Sequence, residues 1–209
     1  SNVLNRGEHA HQVLSDKAAR LRAGESGLLS LDWNNGNRNV LTDAKLTGLL
    51  VGQTLRTTDY EIYRALVEAT AFGARRIIEQ MEKYGLKIDK VITCGGIAEK
   101  NPLVMQIYAD ILNRPMEIAG SPQATALGAA IFGAVAAGMN EAKAGAVEKI
   151  QQRVCKVKDK IFYPEENESR VYQKLYDLYA QLHDAFGMKN SRVEMYPVMK
   201  KLLEIKSEV

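Results

Sequence analysis

Three short segments of this 209-residue chain carry residue types that could meet a ligand. The first is Cys94-Gly95-Gly96-Ile97-Ala98-Glu99-Lys100-Asn101-Pro102, behind the apolar run Val91-Ile92-Thr93. Two glycines let a ligand approach the backbone with no Cβ in the way. A helix opening behind them offers free N–H groups and the positive end of a dipole. Neither standard phosphate-binding pattern fits. No Gly-Lys-Ser/Thr follows, and the third glycine of a dinucleotide fingerprint is absent. Helix initiation alone also accounts for Asn101 as an N-cap and Pro102 at the first helical position.

The second segment is Asp32-Trp33-Asn34-Asn35-Gly36-Asn37-Arg38. Polar, turn-forming residues gathered around the chain's single Trp suit a ligand-facing loop. They equally suit an Asx-rich turn with Trp33 as a core anchor. Asp32 stands alone at a strand end, and a salt bridge to Arg38 is at least as good an expectation as a general base. The third segment is Gly48 to Gly52 followed by Gln53-Thr54, a glycine turn that could sit near phosphates or be a plain bulge. No nucleophile elbow, paired catalytic carboxylates or metal-ligand cluster is visible. His9-x-His11 lacks a third ligand, and His183 falls on an apolar stripe that favours packing over catalysis.

These segments need elements to position them. The spacing predicts a helix over His9–Ala23, a strand at Gly27–Leu31, a polar loop to Asn39, and a strand within Leu46–Leu55. Thr57, Thr58 and Asp59 then offer caps for a long amphipathic helix ending at Gly85. A short buried strand at Val91–Cys94, a helix over Pro102–Leu112 and a strand at Met116–Ala119 follow. The small-residue helix Ala124–Gly138 is expected to pack closely against another backbone. A mixed, strand-bearing return covers Gln151–Tyr163. The helix Glu165–Phe186 carries Tyr172, Leu175, Tyr176, Tyr179, Leu182, His183 and Phe186 on one stripe, with Gly187 as its cap. The charged tail after it suits a short surface helix. Strands alternating with helices make the class α/β, with a ligand site at a strand's carboxyl end.

Composition narrows the function. With 46% hydrophobic and 25% charged residues, the chain is of ordinary globular type, which excludes collagen, coiled coil and wholesale disorder. A net charge of +3 spread along the chain gives no case for nucleic-acid or membrane partners. No apolar run approaches the ~20 residues of a membrane helix. Two distant cysteines, Cys94 and Cys155, suit a reducing, cytoplasmic setting.

Taken in order, DWNNGNR, Gly48-x-x-x-Gly52 with Glu61-Ile62-Tyr63-Arg64-Ala65-Leu66-Val67-Glu68, CGGIAEKNPLVMQIYADI, and Ser121-Pro122-Gln123-Ala124-Thr125-Ala126-Leu127-Gly128-Ala129-Ala130 resemble the C-terminal domain of the FGGY family of carbohydrate kinases. The DWNNGNR loop and the IYRALVEATAFGAR and GGIAEKNPLVMQIYAD segments are similar to its L-ribulokinase branch. The resemblance implies a ribonuclease-H-like, actin-type ATPase domain, a mixed sheet flanked by helices. It divides the chain into a lead-in at 1–26, a nucleotide-binding core at 27–163 and a helical extension at 164–209. It implies ATP and Mg²⁺ as cofactors and transfer of a phosphoryl group to L-ribulose, giving L-ribulose 5-phosphate in arabinose catabolism. Gly95, Gly96 and Asn101 look like adenosine-side contacts, and Gly52 and Thr54 resemble the turn near the phosphates.

Two departures stand out. Gln53 replaces a usual aliphatic residue, and Cys94 replaces an Asp seen in glycerol kinases, so that contact is not carried over. The family's catalytic base and most of its sugar site precede the segments matched here. No residue of this chain is therefore expected to be catalytic, and the chain alone is expected to be inactive. A kinase for another sugar, such as xylulose or ribitol, remains an alternative, as does a non-catalytic actin-fold interaction domain. A face left bare by an absent partner domain would also permit a homo-oligomer.

Overall fold

A computed structural model describes residues 2–138 and 144–209. The chain opens with helix α1 (Asn2–Ala18) and passes through turns to strand β1 (Leu29–Leu31). That helix ends earlier than its apolar spacing suggests, because residues 19 to 24 coil into turns held by short-range backbone hydrogen bonds. The polar loop leads to β2 (Leu49–Val51), which pairs antiparallel with β1, Ser30 opposite Leu50.

Helix α2 (Asp59–Lys83) starts where the carboxylate of Glu61 accepts hydrogen bonds from the backbone N–H and hydroxyl of Thr58. These satisfy donors that the first turn leaves free. Strand β3 (Val91–Thr93), the short helix α3 (Gly96–Lys100), helix α4 (Pro102–Leu112) and strand β4 (Met116–Ala119) form a β-α-β unit with parallel strands. Helices α5 (Ala124–Ala136) and α6 (Ala146–Val154) follow, then β5 (Val157–Phe162), antiparallel to β4. The three-stranded sheet, ordered β3-β4-β5, is therefore mixed. Helices α7 (Glu166–Gly187) and α8 (Val198–Glu208) complete the chain.

The main core lies where α2, α4 and α7 meet β1. Leu29, Leu31, Trp33, Phe72, Ile107 and Tyr179 are all fully buried there. Phe72 alone packs its ring against Tyr172, Tyr176 and Tyr179, with centroids 6.1, 6.0 and 5.4 Å away. Burying aromatics of this size supplies most of the hydrophobic driving force. A second cluster under the mixed sheet joins Met105, Ala109, Leu112, Met116, Ile118 and Phe162.

Polar groups lock the first core. Arg64, 4% exposed, bonds Glu68 at 2.7 Å, the hydroxyl of Tyr172 at 2.8 Å, and the carbonyls of Ala18 and Leu21 at 2.9 and 2.7 Å. The Tyr172 hydroxyl in turn donates to Glu68. One guanidinium thus ties the end of α1 to α2 and α7. The Arg64 and Glu68 spacing in sequence is an i,i+4 helix pair.

Five expectations fail in instructive ways. Strand β3 is only half covered, with Ile92 exposed. Phe186 is exposed, because the buried stripe of α7 ends at His183. Gly187 closes α7 as its last helical residue, and its missing side chain makes room for Leu41 and Trp33. Helix α8 is more than a surface element, since Val198, Leu202 and Ile205 join the main core. The small-residue helix α5 buries only Ile131, and a Cβ at Gly128 or Gly133 would meet no described atom within 4 Å. Its small side chains are not used for close packing within the described residues.

Candidate functional site

The candidate site residues follow the carboxyl ends of two strands in different sheets. At the end of β3, Thr93 donates its hydroxyl to the Glu117 carbonyl at 3.1 Å and fixes the strand against β4. The chain then turns at Gly95, whose φ of +94° favours glycine, and enters α3 at Gly96. No atom lies within 4 Å of where a Cβ would sit on either glycine. Packing within the described chain therefore does not require Gly96 to be glycine. Behind the turn, Lys158 pairs with Glu99 at 2.8 Å and holds α3 to β5.

Asn101 belongs to the same turn but has a structural task. Its side-chain oxygen accepts from the Val104 N–H at 3.3 Å, capping α4, and from the Ser15 hydroxyl at 3.2 Å, anchoring α1. Gly52, after β2, has φ +93° and lies so close to the turn before β1 that a Cβ would stand 2.2 Å from the Gly27 carbonyl oxygen. Thr54 is exposed in a tight turn. Its N–H donates to the Thr57 hydroxyl and its own hydroxyl accepts from the Arg56 N–H. The structure thus gathers Gly95, Gly96 and Asn101 at one strand end and Gly52 and Thr54 at the other. The two glycines after β3 are the ones left open.

The Asp32–Asn39 loop closes a separate cavity of about 260 Å³ against α2 and α7. None of Gly52, Thr54, Gly95, Gly96 and Asn101 lines it. Asp32 pairs with Tyr179, whose hydroxyl donates to it at 2.9 Å; no Asp32–Arg38 bridge occurs among the described ion pairs. The carboxylate rests over Gly73, where a Cβ would meet Oδ2 at 2.4 Å. Burial pushes the Asp32 carboxyl up, against the opposing pull of the Tyr179 bond and of His183. His183 and Trp33 are packed edge to face, 5.4 Å apart. Gly73, Arg76 and Ile77 line this cavity from α2, a role the sequence analysis did not assign. Gly73 was the available signal, because an interior helical glycine is unfavourable unless something needs its space.

The mixed α/β fold is that of an actin-type ATPase domain. The sequence profile of the C-terminal domain of the FGGY family of carbohydrate kinases matches residues 3–137. The chain belongs to that family. It is 49% identical over 197 residues to a ribulokinase of Bacillus licheniformis, covering 94% of this chain and 35% of that protein. A ribulokinase of Halalkalibacterium halodurans is 46% identical, covering 97% and 35%. Among solved structures, a gluconate kinase from Lactobacillus acidophilus superposes with a TM-score of 0.72 at 28% identity, over 85% of this chain and 35% of that one. A xylulose kinase from Rhodospirillum rubrum gives 0.69 at 29% identity, over 86% and 36%. The chain spans about a third of the length of the curated relatives it matches.

Proposed function

We propose that this chain is the nucleotide-binding part of an ATP-dependent sugar kinase that converts L-ribulose to L-ribulose 5-phosphate. In this reading residues 27–163 form the nucleotide-binding core, 1–26 lead into it, and 164–209 brace it. The observation that carries the reading is the open Gly95–Gly96 turn. Its neighbours in the chain leave Gly96 free to be any residue, yet the backbone there is bare, as a stacked or hydrogen-bonded nucleotide would need. The ribulokinase names of relatives matching nearly the whole chain support the choice of sugar.

Phosphoryl transfer to a sugar hydroxyl needs a base for the hydroxyl proton and charge compensation on the phosphates. Asp32 is not assigned as that base, because Tyr179 occupies it and Gly73 seats it in its own cavity. Among the described residues no group of three or more His, Cys, Asp or Glu could hold a metal ion. In this reading Mg²⁺ arrives on the phosphates of ATP, as suits a cation that keeps several waters and takes one or two protein carboxylates. Exposed Cys94 and Cys155, both free thiols, fit a reducing cytoplasm. No described helix is long and apolar enough to cross a membrane.

The test is an ADP titration of the chain followed by amide NMR. The Gly95 and Gly96 resonances are expected to shift at millimolar ADP, and an unchanged spectrum overturns the nucleotide assignment. The chain alone is expected to give no turnover of L-ribulose with ATP. The polypeptide that adds the remaining two thirds is expected to phosphorylate L-ribulose in preference to D-xylulose or ribitol. A reversed preference would correct the sugar while leaving the kinase standing.

A further inference from the structure

Ser15 is a polar residue on the packed side of helix α1, only 7% exposed. A helical serine commonly turns its hydroxyl back onto its own helix, which makes it a weaker helix former than alanine. Here the hydroxyl instead reaches Oδ1 of Asn101, 86 positions away in sequence and 3.2 Å away in space. The Val104 backbone N–H donates to the same atom at 3.3 Å. A backbone N–H can bond only the oxygen of a carboxamide. That sets the orientation of the Asn101 side chain and makes the Ser15 hydroxyl the donor.

Both bonds hold the oxygen, so the amide nitrogen is on the other side. Nδ2 of Asn101 has no partner among the described residues and is not among their buried unpaired atoms. Its two hydrogens are therefore open to a ligand. Asn101 also closes the turn that begins at Gly95. Its N–H donates to the Ile97 carbonyl at 2.9 Å, and the Glu99 N–H donates to the Gly95 carbonyl at 3.3 Å. Turn, α3 and Asn101 form one hydrogen-bonded unit.

On the other side of this contact, α1 is itself held firmly. Arg64 bonds the carbonyls of Ala18 and Leu21 at 2.9 and 2.7 Å, within two turns of Ser15. The same guanidinium is fixed by Glu68 and Tyr172 inside the main core. Ser15 thus joins a rigid support to the one open amide of the turn. Without its hydroxyl, the Asn101 carboxamide would hang on the long Val104 bond alone and lose a defined direction. We propose, on the nucleotide reading of the Gly95–Asn101 turn, that Ser15 is a positioning residue for nucleotide binding, aiming the Asn101 amide and coupling α1 to the turn. Such coupling is reciprocal. A docked α1 strengthens nucleotide binding, and bound nucleotide steadies α1.

The test is an ADP titration followed by amide NMR on the parent chain, Ser15→Ala, Asn101→Ala and the double variant. Ser15→Ala is expected to weaken ADP about threefold to tenfold, the equivalent of one neutral hydrogen bond. Its melting temperature should change little, because alanine favours the helix. Asn101→Ala is expected to weaken ADP at least as much, and adding Ser15→Ala to it should change the affinity no further. Saturating ADP should slow amide exchange in the last turn of α1 in the parent chain and leave it unchanged in Ser15→Ala. A serine that only packs α1 would lower the melting temperature and leave ADP affinity and ADP-dependent exchange untouched, and that result overturns the proposal. So does an equal loss of ADP affinity from Ser15→Ala with and without the Asn101 side chain. The exchange readout needs Ser15→Ala alone, so it decides even if Asn101→Ala fails to fold. A parent chain silent to ADP overturns the nucleotide reading and this role together. A parent that binds ADP no better than Ser15→Ala overturns this role and keeps the nucleotide reading.

Discussion

Glycines in the two halves of this molecule answer to different neighbours. Around the β1–β2 pair and helices α2 and α7, a Cβ on Gly48, Gly52, Gly73 or Gly187 would come within 2.4 Å of another atom. Around the mixed sheet, a Cβ on Gly95, Gly96, Gly128 or Gly133 would meet no described atom within 4 Å. The first group is explained by packing inside the chain. The second has no such explanation here, and large apolar side chains beside it, Ile97 at 70% and Phe132 at 65% exposure, are equally uncovered. The contrast separates glycines explained by packing inside the chain from glycines whose surroundings are open among the described residues.

The packed half should break hardest. Arg64→Met removes the partner of a buried carboxylate and strands Glu68 and two backbone carbonyls. The expected loss is about 3–5 kcal/mol. For a chain of this size that lowers the melting temperature by roughly 6–20 °C. Lys158→Met in the open half removes the half-exposed Glu99 pair and should cost under about 1 kcal/mol. Calorimetric melting of the two variants checks the difference, and equal losses would erase the distinction between the halves.

Paired glycine substitutions come next. Gly52→Ala combines a positive φ with a clash against the Gly27 carbonyl and should destabilise by about 2–4 kcal/mol. Gly96→Ala meets nothing, so its melting temperature should stay unchanged while its affinity for ADP falls. Urea unfolding beside an ADP titration reads both quantities. If Gly96→Ala binds ADP like the parent chain, the open turn is not the nucleotide contact.

Asp110 tests the junction between the halves. Its carboxylate accepts from the Glu165 N–H at 2.7 Å and the Gln106 side chain at 2.9 Å, where α7 begins. Burial, with Glu165 and Glu168 adding to it, pushes its pKa up to about 6. The folded state then holds this proton more tightly than the unfolded chain. This site's stabilising share is full below the unfolded carboxyl range and is lost as pH rises through the folded value. The change amounts to at most about 3 kcal/mol. Asp110→Asn should flatten that part of the stability profile between mildly acidic and neutral pH, measured by urea unfolding at each pH. An unchanged profile would show that Asp110 titrates normally.

How much of this was legible in sequence follows the same division. Periodicity located α2, α4, β4 and the buried stripe of α7, because each buries one face against neighbours in the same chain. It favoured packing for His183 and put Gly95–Gly96 at a strand end, while Trp33 was left open between a ligand-facing loop and a core anchor. The errors cluster where burial depends on distant or absent partners. Alanine and glycine content suggested that α5 packs tightly, yet composition cannot say whether the packing partner is in the chain. The Asp32–Tyr179 contact joins residues 147 apart in sequence, beyond the reach of local spacing, so Arg38 looked the better partner. Gly52 and Asn101 read as ligand contacts, and the structure adds a packing role for the one and a capping role for the other.

The smallest effect probes the open face itself. Gly128 lies inside α5, where glycine is less favourable than alanine by about 0.5–1 kcal/mol, because it gives up more backbone freedom on folding. With no described atom within 4 Å of the new methyl, Gly128→Ala should recover that difference and raise the melting temperature by roughly 1–4 °C. The sign carries the information. A stabilised variant means the Gly128 face of α5 meets solvent in this chain. A destabilised one means a backbone already lies against Gly128 in solution. If that loss grows with protein concentration, the backbone belongs to a second copy, because a contact between copies contributes to stability by mass action and one within the chain does not.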